Sequence, residues 1–321
     1  MADKNPYCSR KYPVLSEAWA FSRDTLQEIE NAMLGIGQCD GTCVAVAGSF
    51  GRLEASVLSD IDYIIISGDK HEYEKVQKSL TDIARDKNLR LPNPNGVFHR
   101  QISPSELINL AGAKDENLDC LAQRILLLLE SKSVYNKQRY EKTLLDILNR
   151  YLELLLDDPN KFPVYLLNDI IRYFRWICVN YEFSFWRENE RWTLRNIKLR
   201  HSRIIMYAGM LLVLLNSGNK PDKRAYIIES LPLTPLERIV HVFEDNGCSY
   251  DGILQAYDFF LSKLKDADVR NALQVDYPNR SENDFYGELK SNSDKLLKEL
   301  SNFVYGQRGK WSDEAFEYLI F

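Results

Sequence analysis

The stretch AGSFGRLEASVLSDIDYIIIS, residues 47–67, decides the fold because it joins two predicted strands. Residues 43–47 form a short apolar run, and residues 61–67 are rich in isoleucine, so both runs predict buried strands. Glycine and serine directly after the first run predict a tight turn. Asp60 and Asp62 lie where the second run begins. The stretch therefore predicts polar side chains at the adjoining ends of two strands.

Asp60 and Asp62 are predicted to share one face of the second strand. Side chains alternate along a strand, so Ile61 points to the opposite face, into a core. Two neighbouring carboxylates repel each other unless a cation lies between them. The pair therefore predicts a site for Mg²⁺, with Mn²⁺ as an alternative. The competing interpretation is a turn in which Ser59 acts as a cap and Asp60 forms an Asx turn.

Gly48 and Ser49 follow the first strand and predict a site for phosphate. Backbone N–H groups at a turn that opens a helix, together with a hydroxyl, are donors that suit phosphate oxygens. The metal ligands and the phosphate donors are thus expected at the same edge of the sheet. A nucleoside triphosphate such as ATP, bound with magnesium, fits both groups.

The composition limits the function classes. The chain has 321 residues, 45% of them hydrophobic, and a formal net charge of −5. An acidic chain disfavours a protein that coats nucleic acid and favours a protein or small-molecule acceptor. Six cysteines without a matching ligand spacing indicate free thiols in a reducing cytoplasm. The four histidines form no HExxH motif, which argues against a zinc hydrolase.

No membrane partner is expected. The N-terminal sequence MADKNPYCSRKYP is polar and lacks the apolar core of a signal peptide. The longest apolar run, residues 204–215, is too short to span a bilayer and predicts a buried helix. We therefore expect a cytoplasmic protein.

The rest of the chain divides into a short α/β part and a long helical part. Residues 97–102 predict a third strand, and beyond Ser103 nearly all apolar spacing is helical. The boundary is expected near residues 112–116. The predicted fold class is α+β, with a small mixed sheet in residues 1–114 and an all-α region in residues 115–321.

The segment GSFGRLEASVLSDIDYIII resembles the signature of the polymerase-β-like nucleotidyltransferase superfamily, which is hydrophobic-Gly-Ser followed by Asp-hydrophobic-Asp. The portion from Gly51 through Arg52 to Glu54 is similar to the uridylyltransferase of PII proteins, the adenylyltransferase of glutamine synthetase and uncharacterised nucleotidyltransferases related to them. The specific part covers residues 45–67. A looser likeness extends through NLDCLAQRILLLLESKSVYN and WTLRNIKLRHSR, which resemble the helical companion region of the uncharacterised members.

The resemblance implies a nucleotidyltransferase domain followed by a helical domain. It implies magnesium-dependent transfer of a nucleoside monophosphate from a nucleoside triphosphate to an acceptor, with release of pyrophosphate. Gly48 and Ser49 would hold the β- and γ-phosphates, and Asp60 and Asp62 would ligate two Mg²⁺ ions. Arg52 would either contact a phosphate or brace the turn by pairing with Glu54 or Asp60; the residues alone leave both open.

The superfamily also uses a third carboxylate on a neighbouring strand, and residues 97–102 contain none. Glu106, in a helix begun by Ser103 or Ser105, is the candidate substitute for this metal ligand. The other interpretations are that the third strand lies elsewhere or that the ligand is absent. Its absence would leave a catalytically impaired nucleotide-binding regulatory protein.

A basic stretch in the helical part offers a second candidate site. Arg191, Arg195 and Lys198 share a helix face, which could meet a triphosphate or be a solvated face paired with nearby acids. Arg195 and His201 also fit the loose Arg-x₄₋₆-His pattern of helical RNases of the HEPN type. That resemblance gives a third candidate function, RNA cleavage within a helical dimer.

Overall fold

The computed structural model describes residues 5–37, 39–92, 97–188, 192–275, 280 and 282–320. These residues are mostly helical, with a small three-stranded sheet, so the coarse α+β prediction is confirmed. The chain divides into two compact units. The sheet unit contains Ala18–Leu166 and Ile228–Thr234; the helical unit contains the residues up to Glu17, Leu167–Ile227 and the residues from Pro235 onward.

The helices and strands follow one another with short connections. A π-helical turn, Leu199–Arg203, joins two of the later helices, and 3₁₀ turns occur at Leu34–Ile36 and Val97–His99. In chain order the elements are α1 (Pro13–Met33), β1 (Thr42–Ala47), α2 (Gly48–Gly51), β2 (Asp62–Ser67), α3 (Lys70–Asp86), α4 (Pro104–Asn109), α5 (Leu118–Glu130), β3 (Lys132–Tyr135), α6 (Lys137–Tyr151), α7 (Glu153–Asp157), α8 (Val164–Glu188), α9 (Trp192–Lys198), α10 (Ile204–Ser217), α11 (Lys223–Ser230), α12 (Pro235–Asp245), α13 (Asp251–Leu264), α14 (Ala267–Ala272), α15 (Asp284–Gly306) and α16 (Asp313–Glu317).

Strand β1 is the centre of the sheet, in the order β2-β1-β3, and it pairs antiparallel with both neighbours. Every residue of β1 is buried, which explains why its sequence is a continuous apolar run without alternation. The predicted mixed sheet is wrong for the described strands. Parallel pairing occurs there only as isolated bridges, one from Asp60 to Arg90 and one from Ile66 to Ile102.

The third strand is not where the sequence predicts it. Residues 97–102 contain a 3₁₀ turn and a single bridge at Ile102, so that prediction is wrong. Six residues are too few for apolar spacing to separate a strand from an irregular segment. The third strand is instead β3, in which Val134 alone is fully buried. A four-residue strand directly after a helix carries almost no alternation signal.

The predicted domain boundary at 114/115 falls inside the sheet unit. Helix α5, strand β3 and helix α6 all follow it and belong to the same unit as β1 and β2. The side chains of Arg124 and Glu116 form a buried ion pair, and the Arg124 Nε donates to the Tyr151 hydroxyl at 2.6 Å. This network joins Glu116, at the predicted boundary, to α5 and α6 of the same unit.

Helix α10 confirms the prediction of a buried apolar helix. It packs on α12, and Gly209 allows the close approach, since a Cβ there would lie 2.6 Å from the carbonyl oxygen of Pro235. None of the helices in the described ranges combines the length and the apolarity that crossing a bilayer requires.

Candidate functional site

Asp62 and Gly48 lie side by side where β1 and β2 meet. Asp62 is paired with Ala47, the residue just before Gly48. A Cβ built on Gly48 would come within 2.5 Å of Oδ2 of Asp62, so the carboxylate lies directly against the glycine backbone. The predicted apposition of the aspartate and the Gly-Ser turn is therefore present in the sheet unit.

Asp60 and Asp62 also follow the predicted alternation. Both are partly exposed, while Ile61 between them is fully buried in the core. The Ile61 N–H donates to the carbonyl of Arg90 at 2.8 Å, which holds the segment extended before β2 begins. The two carboxylates thus share the accessible side of this segment. The competing turn interpretation keeps some support, since the Ser59 hydroxyl accepts the Ser56 N–H at 3.0 Å.

The turn between the strands is unusually constrained. Gly48 has φ +64°, and a Cβ on Gly51 would overlap the carbonyl oxygens of Glu130 and Val46. Leu53 adopts φ +59°, a left-handed conformation that costs a non-glycine residue about 1–2 kcal/mol. Backbone strain of this kind persists only where the surroundings fix the conformation, and it is frequent at functional sites.

Arg52 braces this turn from inside the protein. Its side chain is 6% exposed; Nε donates to Oε2 of Glu54 at 2.8 Å, and Nη1 donates to Oε2 of Glu130 at 2.7 Å. The structure therefore selects the bracing role with Glu54, one of the two alternatives left open by the sequence. A second partner is Glu130, which the sequence analysis did not indicate. A guanidinium buried between two carboxylates is not placed to bind a phosphate.

Glu130, the last residue of α5, was missed by the sequence analysis. Its side chain is fully buried, and Oε1 accepts the Gly48 N–H at 3.2 Å. A signal was present, because a glutamate ending the apolar run LLLLE sits at a helix C-terminus, where the helix dipole disfavours negative charge. Such a residue requires a donor elsewhere in the fold.

The contact with Glu130 changes the predicted role of Gly48. Its N–H points to the Glu130 carboxylate, so it is not directed at a phosphate as the sequence analysis expected. Ser49 is partly exposed and its carbonyl accepts the Glu54 N–H at 2.8 Å. Of the two predicted phosphate-binding residues, Ser49 is the one placed to offer a side-chain donor.

Glu106 is not brought to the aspartates. It lies in α4, where its carboxylate accepts from the Ser103 N–H at 2.9 Å and from Arg100 at 3.0 Å. The backbone N–H of Ser103 is the main cause that lowers the pKa of Glu106, with its hydroxyl and Arg100 adding to it. Ile102, just before the helix that carries Glu106, is bridged to Ile66 of β2. Ile66 lies four residues along β2 from Asp62, which corresponds to about 13 Å at ~3.3 Å per residue.

The two aspartates suit a divalent cation that is coordinated partly by the protein and partly by a bound phosphate ligand. They suit less well a cation coordinated by protein side chains alone. In the part of the chain that the structure describes, no three His, Cys, Asp or Glu side chains are grouped to hold a metal. Mg²⁺ is commonly bound by one or two carboxylates together with substrate phosphates, because it retains part of its coordination shell for other oxygens. Asp60 and Asp62 supply such a pair.

Arg195 and Lys198 lie in α9 and belong to the helical unit, whereas Asp60 and Asp62 belong to the sheet unit. The guanidinium of Arg195 lies over the Tyr181 ring, 6.0 Å from its centroid. Arg191 lies outside the described residues. Within the helical unit these side chains form a basic helix end, and their predicted role at a triphosphate stays a prediction.

His201 is built into the core of the helical unit. It is fully buried and stacks on Phe260; Nδ1 bonds the carbonyl of Ile197 at 2.9 Å, and Nε2 lies 3.1 Å from Nδ2 of Asn292. Both ring nitrogens are thus occupied by protein groups. This environment does not favour the general acid–base role that a helical RNase would require of it.

The burial of His201 predicts a pH-dependent stability. Burial lowers its pKa from 6.5 to about 4. Above pH 6.5 the His201 ring is neutral in both the folded and the unfolded chain. Between pH 6.5 and 4 the ring is protonated in the unfolded chain but stays neutral in the folded one. The free energy of unfolding should therefore fall by about 2–3 kcal/mol between pH 6.5 and 4.5. Urea denaturation of the wild type and His201→Gln measures this difference; equal pH slopes would contradict it.

The close contact between Gly48 and Asp62 predicts that adding one methyl group at Gly48 weakens nucleotide binding. Gly48→Ala should displace the Asp62 carboxylate and weaken binding of a magnesium–nucleotide complex by at least about tenfold, roughly 1.4 kcal/mol. Gly112→Ala is the matched control, because Gly112 also has positive φ, +72°, but a Cβ there meets nothing within 4 Å. Titration calorimetry on both variants checks the result, and equal losses would show that backbone strain alone is responsible.

No family model matches the chain, and no curated protein matches it.

Proposed function

We propose that the chain is a magnesium-dependent nucleotidyltransferase that moves a nucleoside monophosphate from a nucleoside triphosphate to a protein or small-molecule acceptor and releases pyrophosphate. The observation that carries the proposal is the Asp62 carboxylate lying against the Gly48 turn at the adjoining ends of β1 and β2. It supports the proposal because a carboxylate lies directly against a turn whose next residue, Ser49, carries a hydroxyl.

Asp60 and Asp62 would hold the cation in this proposal. They share the accessible side of their segment, while Ile61 anchors it in the core, so both carboxylates are held by a rigid element. Bound there, Mg²⁺ would neutralise charge on the triphosphate and lower the pKa of the acceptor hydroxyl. The mutual repulsion of the two carboxylates favours occupation by a divalent cation.

Ser49 would donate its hydroxyl to an oxygen of the β- or γ-phosphate. It is partly exposed and follows Gly48, whose φ of +64° sets the direction of the turn. Arg52 and Glu54 act inside the protein by bracing this turn. The site residues in this proposal are therefore Asp60, Asp62 and Ser49, with Gly48 required for its backbone.

The charge of the chain supports an acceptor other than a polynucleotide. A formal charge of −5 would repel a phosphate backbone, and the aspartates add negative charge at the site itself. A protein side chain or a small molecule that bears a hydroxyl does not meet this repulsion.

A nucleotide-binding regulatory protein is the second candidate. The observation that favours it is the absence of a third metal-ligating side chain beside Asp60 and Asp62 among the described residues. With two carboxylates a nucleotide could bind with its metal, yet the acceptor hydroxyl would lack an activating group.

Parallel assays with ATP or UTP labelled at the α- or the γ-phosphate distinguish these functions. The protein is incubated with cell extract and Mg²⁺, and a chelator removes the metal in the control. Label from the α-phosphate on an acceptor, with none from the γ-phosphate, is the expected result. Transfer of γ-label would indicate a kinase and contradict the proposal. Nucleotide binding without transfer would instead support the regulatory protein.

A further inference from the structure

Glu130 contacts the Gly-Ser turn at three points. Its carboxylate accepts the Gly48 N–H at 3.2 Å and the Arg52 Nη1 donor at 2.7 Å, so one side chain holds both ends of α2. Its carbonyl oxygen occupies the space that a Cβ on Gly51 would fill. The end of α5 therefore fixes the position of the turn relative to the sheet.

Stability alone does not account for a carboxylate at this place. Burying an ion pair costs desolvation energy that well-packed apolar side chains avoid, and the helix dipole at the end of α5 opposes the charge further. A buried pair of this kind does give directional contacts that apolar packing cannot supply. Glu130 and Arg52 supply such contacts at the one turn that lies against Asp62.

We infer that Glu130 is a positioning residue for the nucleotidyl transfer. It sets the position of the turn beside Asp62. In this way it sets the distance between the phosphate-binding hydroxyl of Ser49 and the metal-binding carboxylates. This inference rests on the proposed function. Because Glu130 is fully buried, it would act through the turn and not by direct contact with the nucleotide or the cation. A misplacement of about 1 Å between groups that align a substrate lowers the rate about 100-fold.

Glu130→Gln tests the inference with little change in shape. A glutamine oxygen can still accept the Gly48 N–H, but its amide then faces the donor Nη1 of Arg52, so the turn loses the second of its two side-chain links to residue 130. We expect kcat to fall about 100-fold at a temperature where circular dichroism shows a folded protein. KM for the magnesium–nucleotide complex should rise less than kcat falls.

Glu116→Gln is the matched control. Glu116 is also a buried carboxylate of the sheet unit, paired with a buried arginine, Arg124. Its loss should lower stability to a similar degree and leave kcat and KM unchanged. If both variants change kcat equally, or if Glu130→Gln keeps the wild-type kcat, the positioning role is overturned while the transfer activity stands.

A readout that does not need activity separates the two proposals. The amide proton of Gly48 should move upfield in the NMR spectrum of Glu130→Gln, because a neutral carbonyl is a weaker acceptor than a carboxylate. It should not move in Glu116→Gln. An unchanged resonance in Glu130→Gln overturns the contact itself. Absence of transfer by the wild type overturns the proposed function, and the positioning role with it, whatever the resonance does.

Discussion

Replacing Asp62 by asparagine should abolish nucleotidyl transfer, with a loss of at least about 10³-fold. The substitution keeps the shape of the side chain and removes the charge that holds the cation. Charge stabilisation by a bound metal contributes several kcal/mol to a transition state, and about 4 kcal/mol corresponds to 10³-fold in rate. Asp60→Asn should have an effect of the same order, because both carboxylates share the accessible side of the segment.

Asp86→Asn provides the control for this prediction. Asp86 is an exposed aspartate at the end of α3 in the same unit, and neutralising it changes the net charge of the chain by the same amount. Transfer of α-label is measured for all three variants over a range of Mg²⁺ concentrations. Transfer by Asp62→Asn at more than a tenth of the wild-type rate would show that the aspartates do not hold the catalytic cation.

Glu116→Gln should lower the free energy of unfolding of the sheet unit by about 3–5 kcal/mol, the usual cost of removing one partner from a buried ion pair. Arg124 is fully buried, and its guanidinium would lose its carboxylate partner while staying in a low-dielectric environment. The Tyr151 hydroxyl and the Leu107 carbonyl, which accept hydrogen bonds from Arg124, carry no net charge that could neutralise it. The effect should be largest at α5, which carries Arg124 and ends at Glu130.

An exposed pair supplies the comparison. Arg150 and Glu153 form an ion pair at 2.7 Å with both side chains about half exposed. Glu153→Gln should therefore change stability by less than about 0.5 kcal/mol. Hydrogen exchange of the α5 amides reports the free energy locally, which matters because a chain with two compact units need not unfold in one step. Similar values for the two variants would contradict a role for burial.

The sequence was enough to place Asp62 beside Gly48, because the two residues are close along the chain. Asp62 begins β2 and Gly48 directly follows the antiparallel strand β1, so the turn chemistry and the strand alternation were sufficient to place them together. Glu130 is 82 residues from Gly48, and the pairing of β3 with β1 and the packing of α5 on β1 bring it there. No local pattern contains that pairing.

Arg52 shows a different limit. An arginine two residues before a glutamate can pair with it or can reach outward to a ligand, and both arrangements have the same sequence. The choice depends on which side of the turn faces the core, and this is decided by Gly48 and Leu53, whose positive φ angles turn the chain. Glycine predicts such a bend, but leucine at φ +59° does not.

The division of the chain has a consequence for its biosynthesis. The sheet unit needs Ile228–Thr234 in addition to Ala18–Leu166, and Lys132 of β3 contacts the carbonyl of Pro232, 100 residues later. The ribosome therefore exposes β1, β2 and β3 well before the segment that completes their unit has been made. Each unit contains segments that are far apart along the chain, so its last contacts form only after the later segment has been synthesised. Neither unit can therefore finish folding cotranslationally in simple N-to-C order. A fragment ending near Leu166 would lack this late segment and the contact that Pro232 makes with Lys132 of β3.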